Sequence, residues 1–383
     1  MDFNDLLNLM AKHKASDLFI TAGVEPSLKI NGEITPVSKT KLDGDMIAQL
    51  IDSITTQKQR QEFIETHECN FAILNREKNE RFRVSAFQQR DMPGMVIRRI
   101  ETKIPSPDDL HLPPILKELA MSKRGIIIFS GATGTGKSTS LASMIQHRNQ
   151  HSKGHIITIE DPIEFIHEHA GCIITQREVG IDTDSFEIAL KNTLRQAPDV
   201  ILIGEIRSRE VMDYALAFAE TGHLVFATLH ANNANQTLER IIHFFDADRH
   251  QQIFMDLSLN LKAVISQQLI PTHDGQSRRA AVEVLINTPL LSDYIRQGEI
   301  YKIKELMARS GELGMQTFDQ ALFDLYDHQH ISYADALKHA DSPNNLRLQI
   351  KLSEEANKPL DNRERMSEME RKMTFDGQRR NLK

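Results

Sequence analysis

A glycine-rich run at residues 131–139 has the spacing of a loop that binds phosphate groups, and it follows the apolar residues 126–129. Glycine lets the backbone turn so that its N–H groups converge on an anion, and the helix that follows presents its positive end. The pattern Gly-x-x-x-x-Gly-Lys-Ser predicts that Lys137 contacts the β- and γ-phosphates of a nucleotide and that Ser138 ligates Mg²⁺. The predicted nucleotide contacts are Gly131, Ala132, Thr133, Gly134, Thr135, Gly136, Lys137, Ser138 and Thr139.

A carboxylate follows a second apolar run, residues 200–203, which ends in Gly204 and Glu205. In an open α/β sheet the acid that follows such a strand emerges at the edge where ligands bind. This arrangement predicts that Glu205 ligates Mg²⁺ together with Ser138, or polarises water.

Three more carboxylates, Glu160, Asp161 and Glu164, stand together after the largely apolar residues 156–159. Like charges this dense need a cation or an accepted proton nearby, and a magnesium-bound triphosphate with an attacking water provides both. We expect Glu164 to orient or deprotonate that water. On sequence grounds its role and that of Glu205 are interchangeable.

Two histidines, His223 and His230, bracket the largely apolar residues 224–229. A lone histidine is usually structural, but two that flank a strand of a nucleotide-binding sheet are typical of groups that sense the γ-phosphate. We therefore interpret both as catalytic residues, with a structural role as the alternative.

The elements that must position these residues alternate between strand and helix from residue 125 to residue 228. This alternation predicts an α/β fold with a parallel sheet and crossover helices. The first 100 residues instead predict a small α+β unit with a first helix and short strands. Asn31-Gly32 is the predicted turn between two of these strands. Four prolines mark residues 101–114 as a linker. After residue 250 the pattern predicts mainly helix, and residues 341–383 form a charged tail.

Composition sets the broad class of protein. The 383 residues are 40% hydrophobic and 26% charged, with a formal net charge of −7. This balance favours a soluble globular protein and disfavours nucleic acid as a partner, because nucleic-acid binding needs a basic surface. The sequence has no apolar run of 18 residues and no signal-peptide pattern, which predicts the cytoplasm. Cys69 and Cys172 are expected to be buried thiols.

The order of four motifs resembles that of the secretion ATPase superfamily, in particular the type IV pilus retraction ATPases, the PilT/PilU family. The motifs are the phosphate loop and residues 158–164, 199–205 and 221–230, and the resemblance extends over residues 3–340. It implies a PAS-like N-terminal domain (1–100), a linker (101–114) and a RecA-like P-loop ATPase domain with a helical C-terminal part (115–340), followed by the tail. It also implies ATP and Mg²⁺ as cofactors and a homo-hexamer, in which Arg83 and Arg98 complete the site of a neighbouring subunit. Surface arginines are the alternative for this pair.

Within that family the chain is more similar to the accessory retraction ATPases, the PilU class. Residues 315–322 resemble a retraction-class signature, whereas residues 290–293 replace a more basic family segment. The implied partners are a paralogous retraction ATPase and the inner-membrane pilus platform protein, at the inner face of the inner membrane. A regulatory scaffold for a paralogous motor and a RecA-like nucleic-acid translocase are the competing interpretations.

Overall fold

The computed structural model of this chain describes residues 3–30, 32–75, 80–100 and 103–356. The described residues fall into two compact units, one formed by 3–269 with Val282–Thr317 and the other by Ile270–Ala281 with 318–356. Asn31 of the predicted turn and residues 357–383 of the predicted tail lie outside the described residues. Among the described helices, none has the length and apolar character that crossing a bilayer requires.

The first unit begins with an amphipathic helix, α1 (Phe3–Lys12), whose residues Phe3, Leu6, Leu7 and Met10 are buried at helical spacing. An antiparallel sheet in the order β3-β2-β1-β6-β5-β4 follows. The elements of this region are β1 (Asp17–Thr21), β2 (Ser27–Ile30), β3 (Glu33–Pro36), α2 (Gly44–Ile54), α3 (Gln57–Thr66), β4 (Glu68–Asn75), β5 (Glu80–Gln89) and β6 (Met92–Ile100). The region is α+β as predicted, whereas its PAS-like character and the predicted domain boundaries stay predictions.

A seven-stranded sheet in the order β13-β12-β7-β11-β10-β8-β9 forms the rest of the first unit's framework. Its strands from β12 to β9 pair in parallel. The elements are α4 (Ile115–Ala120), β7 (Gly125–Ser130), α5 (Lys137–His151), β8 (Gly154–Glu160), β9 (Cys172–Glu178), α6 (Phe186–Thr193), β10 (Val200–Ile203), α7 (Arg209–Glu220), β11 (Leu224–Leu229), α8 (Ala234–His243), α9 (His250–Asn260), β12 (Leu261–Pro271), β13 (Arg278–Ile286), α10 (Pro289–Arg296) and α11 (Ile303–Arg309). The predicted α/β class is confirmed. Strands β7, β10 and β11 are buried at every position, as expected for parallel strands covered on both faces.

Helices predominate after residue 250, as predicted, but strands β12 and β13, which occupy 20 of the residues that follow, were not predicted. Lysine, alanine, glutamine and leucine in residues 261–269 all favour helices in isolation. They form a strand because residues 261–266 pair in parallel with β7 and are largely buried there. Tertiary pairing thus overrides local propensity.

The second unit has its own hydrophobic core around α12 (Phe318–Asp327), α13 (Tyr333–His339) and α14 (Pro343–Ala356). Phe318, Leu322, Leu346 and Ile350 are all buried in this core. The last two belong to α14, so the region predicted as a charged tail from residue 341 begins with a packed helix.

Candidate active site

The phosphate loop lies between β7 and α5, at the carboxyl edge of the parallel sheet. Two of its glycines are required by close packing as well as by backbone angle. A Cβ on Gly131 (φ +150°) would lie 2.6 Å from the carbonyl oxygen of Gln267, and one on Gly136 (φ +84°) would lie 2.8 Å from Gln267 Nε2. Helix α5 begins immediately after Gly136, so its N-terminal end belongs to the loop.

The Lys137 side chain holds the loop in shape. Its Nζ donates hydrogen bonds to the carbonyl oxygens of Gly131 and Ala132, both at 2.8 Å, and the residue is buried. Burial lowers the pKa of Lys137, and the charges of Glu205 and Glu164 oppose that shift. Two uncharged carbonyl oxygens of the loop therefore fix the position of the Lys137 ammonium group.

Gln267 of β12 connects the loop to α5 through two hydrogen bonds. Its Nε2 donates to the carbonyl oxygen of Thr135 at 2.8 Å, and its Oε1 accepts a hydrogen bond from Ser140 Oγ of α5 at 2.8 Å. Both Gln267 and Ser140 are 2% exposed. Sequence reasoning missed Gln267, and no local signal marks it, since it lies in the segment predicted as helix.

A cavity of about 670 Å³ opens in front of the loop, within the size range of small-molecule sites. The carboxylate motif at residues 160–165 and the ends of β10 and β11 form its other walls. The predicted site residues that line it are Thr133, Gly134, Gly136, Lys137, Ser138, Thr139, Glu164, Glu205 and His230. Gly131 and Ala132 line an adjoining depression, and Thr135 Oγ1 donates to Ala132 O within the loop.

Glu205 is held at the end of β10 by two contacts. Arg207 Nε donates to Glu205 Oε2 at 2.7 Å, and His230 Nε2 lies 3.3 Å from Glu205 Oε1. Arg207 also donates to Asp161 Oδ2 at 3.0 Å, so one guanidinium joins the two acidic motifs. Arg207 was not predicted, although it stands only two residues after Glu205.

The carboxylates at residues 160–164 have different surroundings. Glu160 Oε1 accepts hydrogen bonds from Thr158 Oγ1 at 2.6 Å and Gln176 Nε2 at 3.3 Å, and burial raises its pKa to about 7. Glu164 is exposed to solvent on the wall of the cavity. Asp161 is exposed and lines the cavity too, but its carboxylate accepts a hydrogen bond from Arg207, so the water-facing role falls to Glu164.

The two predicted histidines lie at opposite ends of β11. His230 lines the cavity, whereas His223 precedes the strand at the amino edge of the sheet, where its Nδ1 lies 3.0 Å from Thr221 Oγ1. A strand of six residues separates them, about 20 Å at 3.3 Å per residue. His223 therefore lies away from the cavity of this chain, because parallel strands bring only their carboxyl ends to the loop, and its predicted catalytic role stays a prediction.

Arg83 and Arg98 lie opposite each other on β5 and β6 of the N-terminal sheet. Arg98 Nε donates to Asp17 Oδ1 at 2.8 Å, and its side chain is 69% exposed. Neither arginine is among the described residues that line the cavity of this chain. Their predicted role in a neighbouring subunit stays a prediction.

Comparison with known proteins gives concordant matches. The sequence profile of the family described as Type II/IV secretion system protein matches residues 3–313. The type IV pilus ATPase PilU of Pseudomonas aeruginosa is 65% identical over 356 residues, covering 93% of this chain and 93% of PilU. The type IV pilus retraction ATPase PilT of the same bacterium is 39% identical over 345 residues, covering 90% and 100%. The crystal structure of the pilus retraction motor PilT with bound ADP matches with a TM-score of 0.85 at 38% identity, covering 91% and 99%.

Fold and cavity together define a P-loop protein that binds a nucleotide at the carboxyl edge of a parallel sheet. The chain belongs to the Type II/IV secretion system protein family. Its predicted membership of the type IV pilus retraction ATPases is confirmed by these relatives, and so is the prediction that it is an ATPase. It is more similar to PilU than to PilT, as predicted.

Proposed function

We propose that this chain is a Mg²⁺-dependent, ATP-hydrolysing motor of the type IV pilus machine that acts as an accessory retraction ATPase. The observation that carries this proposal is the cavity in which the phosphate loop, Glu164, Glu205 and His230 meet. The 65% identity to a protein named type IV pilus ATPase supports the assignment to that machine.

Magnesium fits the donors that the cavity offers. The Ser138 hydroxyl and the Glu205 carboxylate both line it, and oxygen ligands of this kind are those that Mg²⁺ prefers. When bound, the ion supplies positive charge to the β- and γ-phosphates. Arg207 and His230 contact the two oxygens of Glu205 and fix its orientation.

The remaining chemistry belongs to side chains of this chain. Lys137 carries its charge to the phosphates, exchanging carbonyl acceptors of the loop for phosphate oxygens. Glu164, exposed on the cavity wall, orients the attacking water and takes its proton. His230 lies against Glu205 at the same edge and is the histidine placed to respond to the γ-phosphate.

Measuring ATP hydrolysis by the Lys137→Ala variant tests the proposed motor function most directly. We expect the folded variant to lose ATPase activity and to bind ATP more weakly, because Lys137 is the cation at the centre of the loop. Lys117→Ala is the matched control, since it removes a partly exposed lysine of α4 that pairs with Asp108 away from the cavity. Full activity in Lys137→Ala would refute the motor function.

Assembly into a homo-hexamer would bring Arg83 and Arg98 to the nucleotide of a neighbouring subunit. An arginine in such a position typically increases the rate by ~10³–10⁵-fold. Each alanine variant should then bind ATP normally and hydrolyse it poorly. Mixing either variant with Glu205→Gln subunits should restore part of the activity, because some interfaces then combine an intact cavity with an intact arginine. Normal turnover in both arginine variants would leave them as surface residues.

The accessory role rests on the replaced segment at residues 290–293, which lies in the first half of α10 with Leu290 exposed and Leu291 buried. We infer that the chain works with a paralogous retraction ATPase and the pilus platform protein, at the cytoplasmic face of the inner membrane. Retraction should be weak in cells that contain this protein as their sole retraction ATPase. Vigorous retraction in those cells would overturn the accessory role while leaving the ATPase assignment intact.

The charged segment after Ala356 is our candidate for the attachment to the paralogous ATPase. Met366, Met369 and Met373, which suggested an apolar stripe from their spacing, lie outside the described residues. A deletion that tests the segment must keep α14, because Leu346 and Ile350 belong to the core of the second unit. Removal of residues 357–383 should weaken cooperation with the paralogue and leave hydrolysis unchanged, and unchanged retraction would exclude the segment.

A further inference from the structure

A largely buried ion pair joins the two sheets of the first unit. Arg81 of β5 donates from Nη2 to Glu178 Oε2 at 3.0 Å, and the side chains are 17% and 3% exposed. Arg81 belongs to the N-terminal antiparallel sheet, whereas Glu178 is the last residue of β9 in the parallel sheet. The contact therefore connects the N-terminal sheet with the sheet that carries the nucleotide site.

Glu178 stands beside another carboxylate of the active-site region. It is the register partner of Glu160 on β8, so two acids lie next to each other at the ends of adjacent strands. Burial raises the pKa of Glu178, and the charges of Arg81 and then Arg83 oppose that shift. Without a cation, two carboxylates this close and this buried would repel each other. Arg81 supplies the cation that contacts one of them directly.

The same strand also holds the backbone that follows Glu164. Gln176, two residues before Glu178, donates from Nε2 to Glu160 Oε1 at 3.3 Å and to the carbonyl oxygen of Phe165 at 3.0 Å. Its Oε1 accepts the N–H of His167 at 2.8 Å. Through Gln176, β9 thus makes hydrogen bonds to Glu160, at the start of the acidic motif, and to Phe165 and His167, just after its end.

We propose that Arg81 is a positioning residue for ATP hydrolysis. By compensating Glu178 it keeps the end of β9 against Glu160, and through Gln176 it fixes the segment that presents Glu164 to the cavity. Displacement of the N-terminal sheet would withdraw Arg81 and loosen that segment, so the sheet controls the water-activating group without touching the nucleotide. This inference rests on the proposed ATPase function and differs from that of Arg83 and Arg98, because Arg81 acts within its own chain.

The test compares steady-state hydrolysis and nucleotide affinity in the full-length protein. Arg81→Gln should lower kcat by about tenfold or more while the Kd for ADP stays within about twofold, the pattern of a lost transition-state contribution. Arg81→Lys keeps the charge and should recover much of kcat. Arg60→Gln is the matched control, because Arg60 forms an exposed ion pair with Asp52 in the same region; it should leave both constants unchanged.

The double variant Arg81→Gln/Glu178→Gln separates this role from others. It removes both charges, so no uncompensated carboxylate faces Glu160. The kcat of the double variant should therefore return to within about threefold of wild type, which means that the effects of the two substitutions are not additive. It also keeps the test valid if Arg81→Gln alone fails to fold. A double variant as slow as Arg81→Gln, or an unchanged kcat in Arg81→Gln, would overturn the proposal. If the wild-type protein did not hydrolyse ATP, that result would instead refute the proposed function itself.

Discussion

Replacing Gln267 by leucine should loosen the phosphate loop without touching the nucleotide. Leucine keeps most of the volume of the side chain but has no amide. The change removes the hydrogen bond from Nε2 to Thr135 O and the one that Oε1 accepts from Ser140 Oγ. Both side chains are almost fully buried, so no bulk water replaces the lost partners.

The size of the effect follows from those two contacts. A buried hydroxyl left without a partner costs about 1–3 kcal/mol, and the second hydrogen bond contributes about 1 kcal/mol. We therefore expect Gln267→Leu to lower the free energy of unfolding by about 2–4 kcal/mol. If about 1 kcal/mol of this total reports order in the loop, the Kd for ADP rises about fivefold.

Urea unfolding and ADP titration calorimetry measure the two quantities separately. Gln252→Leu is the control, since Gln252 makes an exposed hydrogen bond to Asp256 on α9 and should change neither value appreciably. Adding Ser140→Ala to Gln267→Leu removes the orphaned hydroxyl, so the double variant should regain part of the lost stability.

Two results would refute this reasoning. One is a Gln267→Leu protein with wild-type unfolding free energy and wild-type ADP affinity. The other is a double variant in which the losses from Ser140→Ala and Gln267→Leu simply add, because the two side chains would then not be partners.

Other changes test different parts of the site. Glu164→Gln should retain ATP and slow hydrolysis by about 10²–10⁴-fold, and a normal rate would remove Glu164 as the water-activating group. Gly131→Ala forces a Cβ against Gln267 O and should lower the unfolding free energy by about 1–3 kcal/mol, measured in urea. Glu160 should make stability fall as pH rises from 4.5 to about 7, because its raised pKa lets the folded state hold the proton that the unfolded chain releases. Glu160→Gln should therefore gain stability relative to wild type between pH 5 and pH 8, and a pH-independent difference would contradict that linkage.

Local spacing was sufficient to predict the phosphate loop and its flanking elements. The run that ends in Lys137 and Ser138 specifies a turn, a helix start and a charge within eight residues, all of which are read without knowing the rest of the fold. The apolar runs of β7, β10 and β11 were equally readable, because strands buried on both faces need apolar residues at every position.

Long-range contacts could not be predicted from the same information. Gln267 meets Ser140 across 127 residues and Arg81 meets Glu178 across 97. Both depend on the spatial order of strands, which places β12 beside β7 and β9 at the opposite side of the sheet. The separation of His223 from His230, in contrast, could be predicted from the sequence, because the two histidines lie at opposite ends of one strand.

The two carbonyl bonds of Lys137 have a thermodynamic consequence for ligand capture. A free lysine side chain carries about 2 kcal/mol of rotamer entropy, which is lost when the chain is fixed in place. Here that loss is taken during folding, because Gly131 O and Ala132 O already hold Nζ. A phosphate that arrives therefore meets an ammonium group that is already ordered, and the entropy of binding is governed by the nucleotide and its released water.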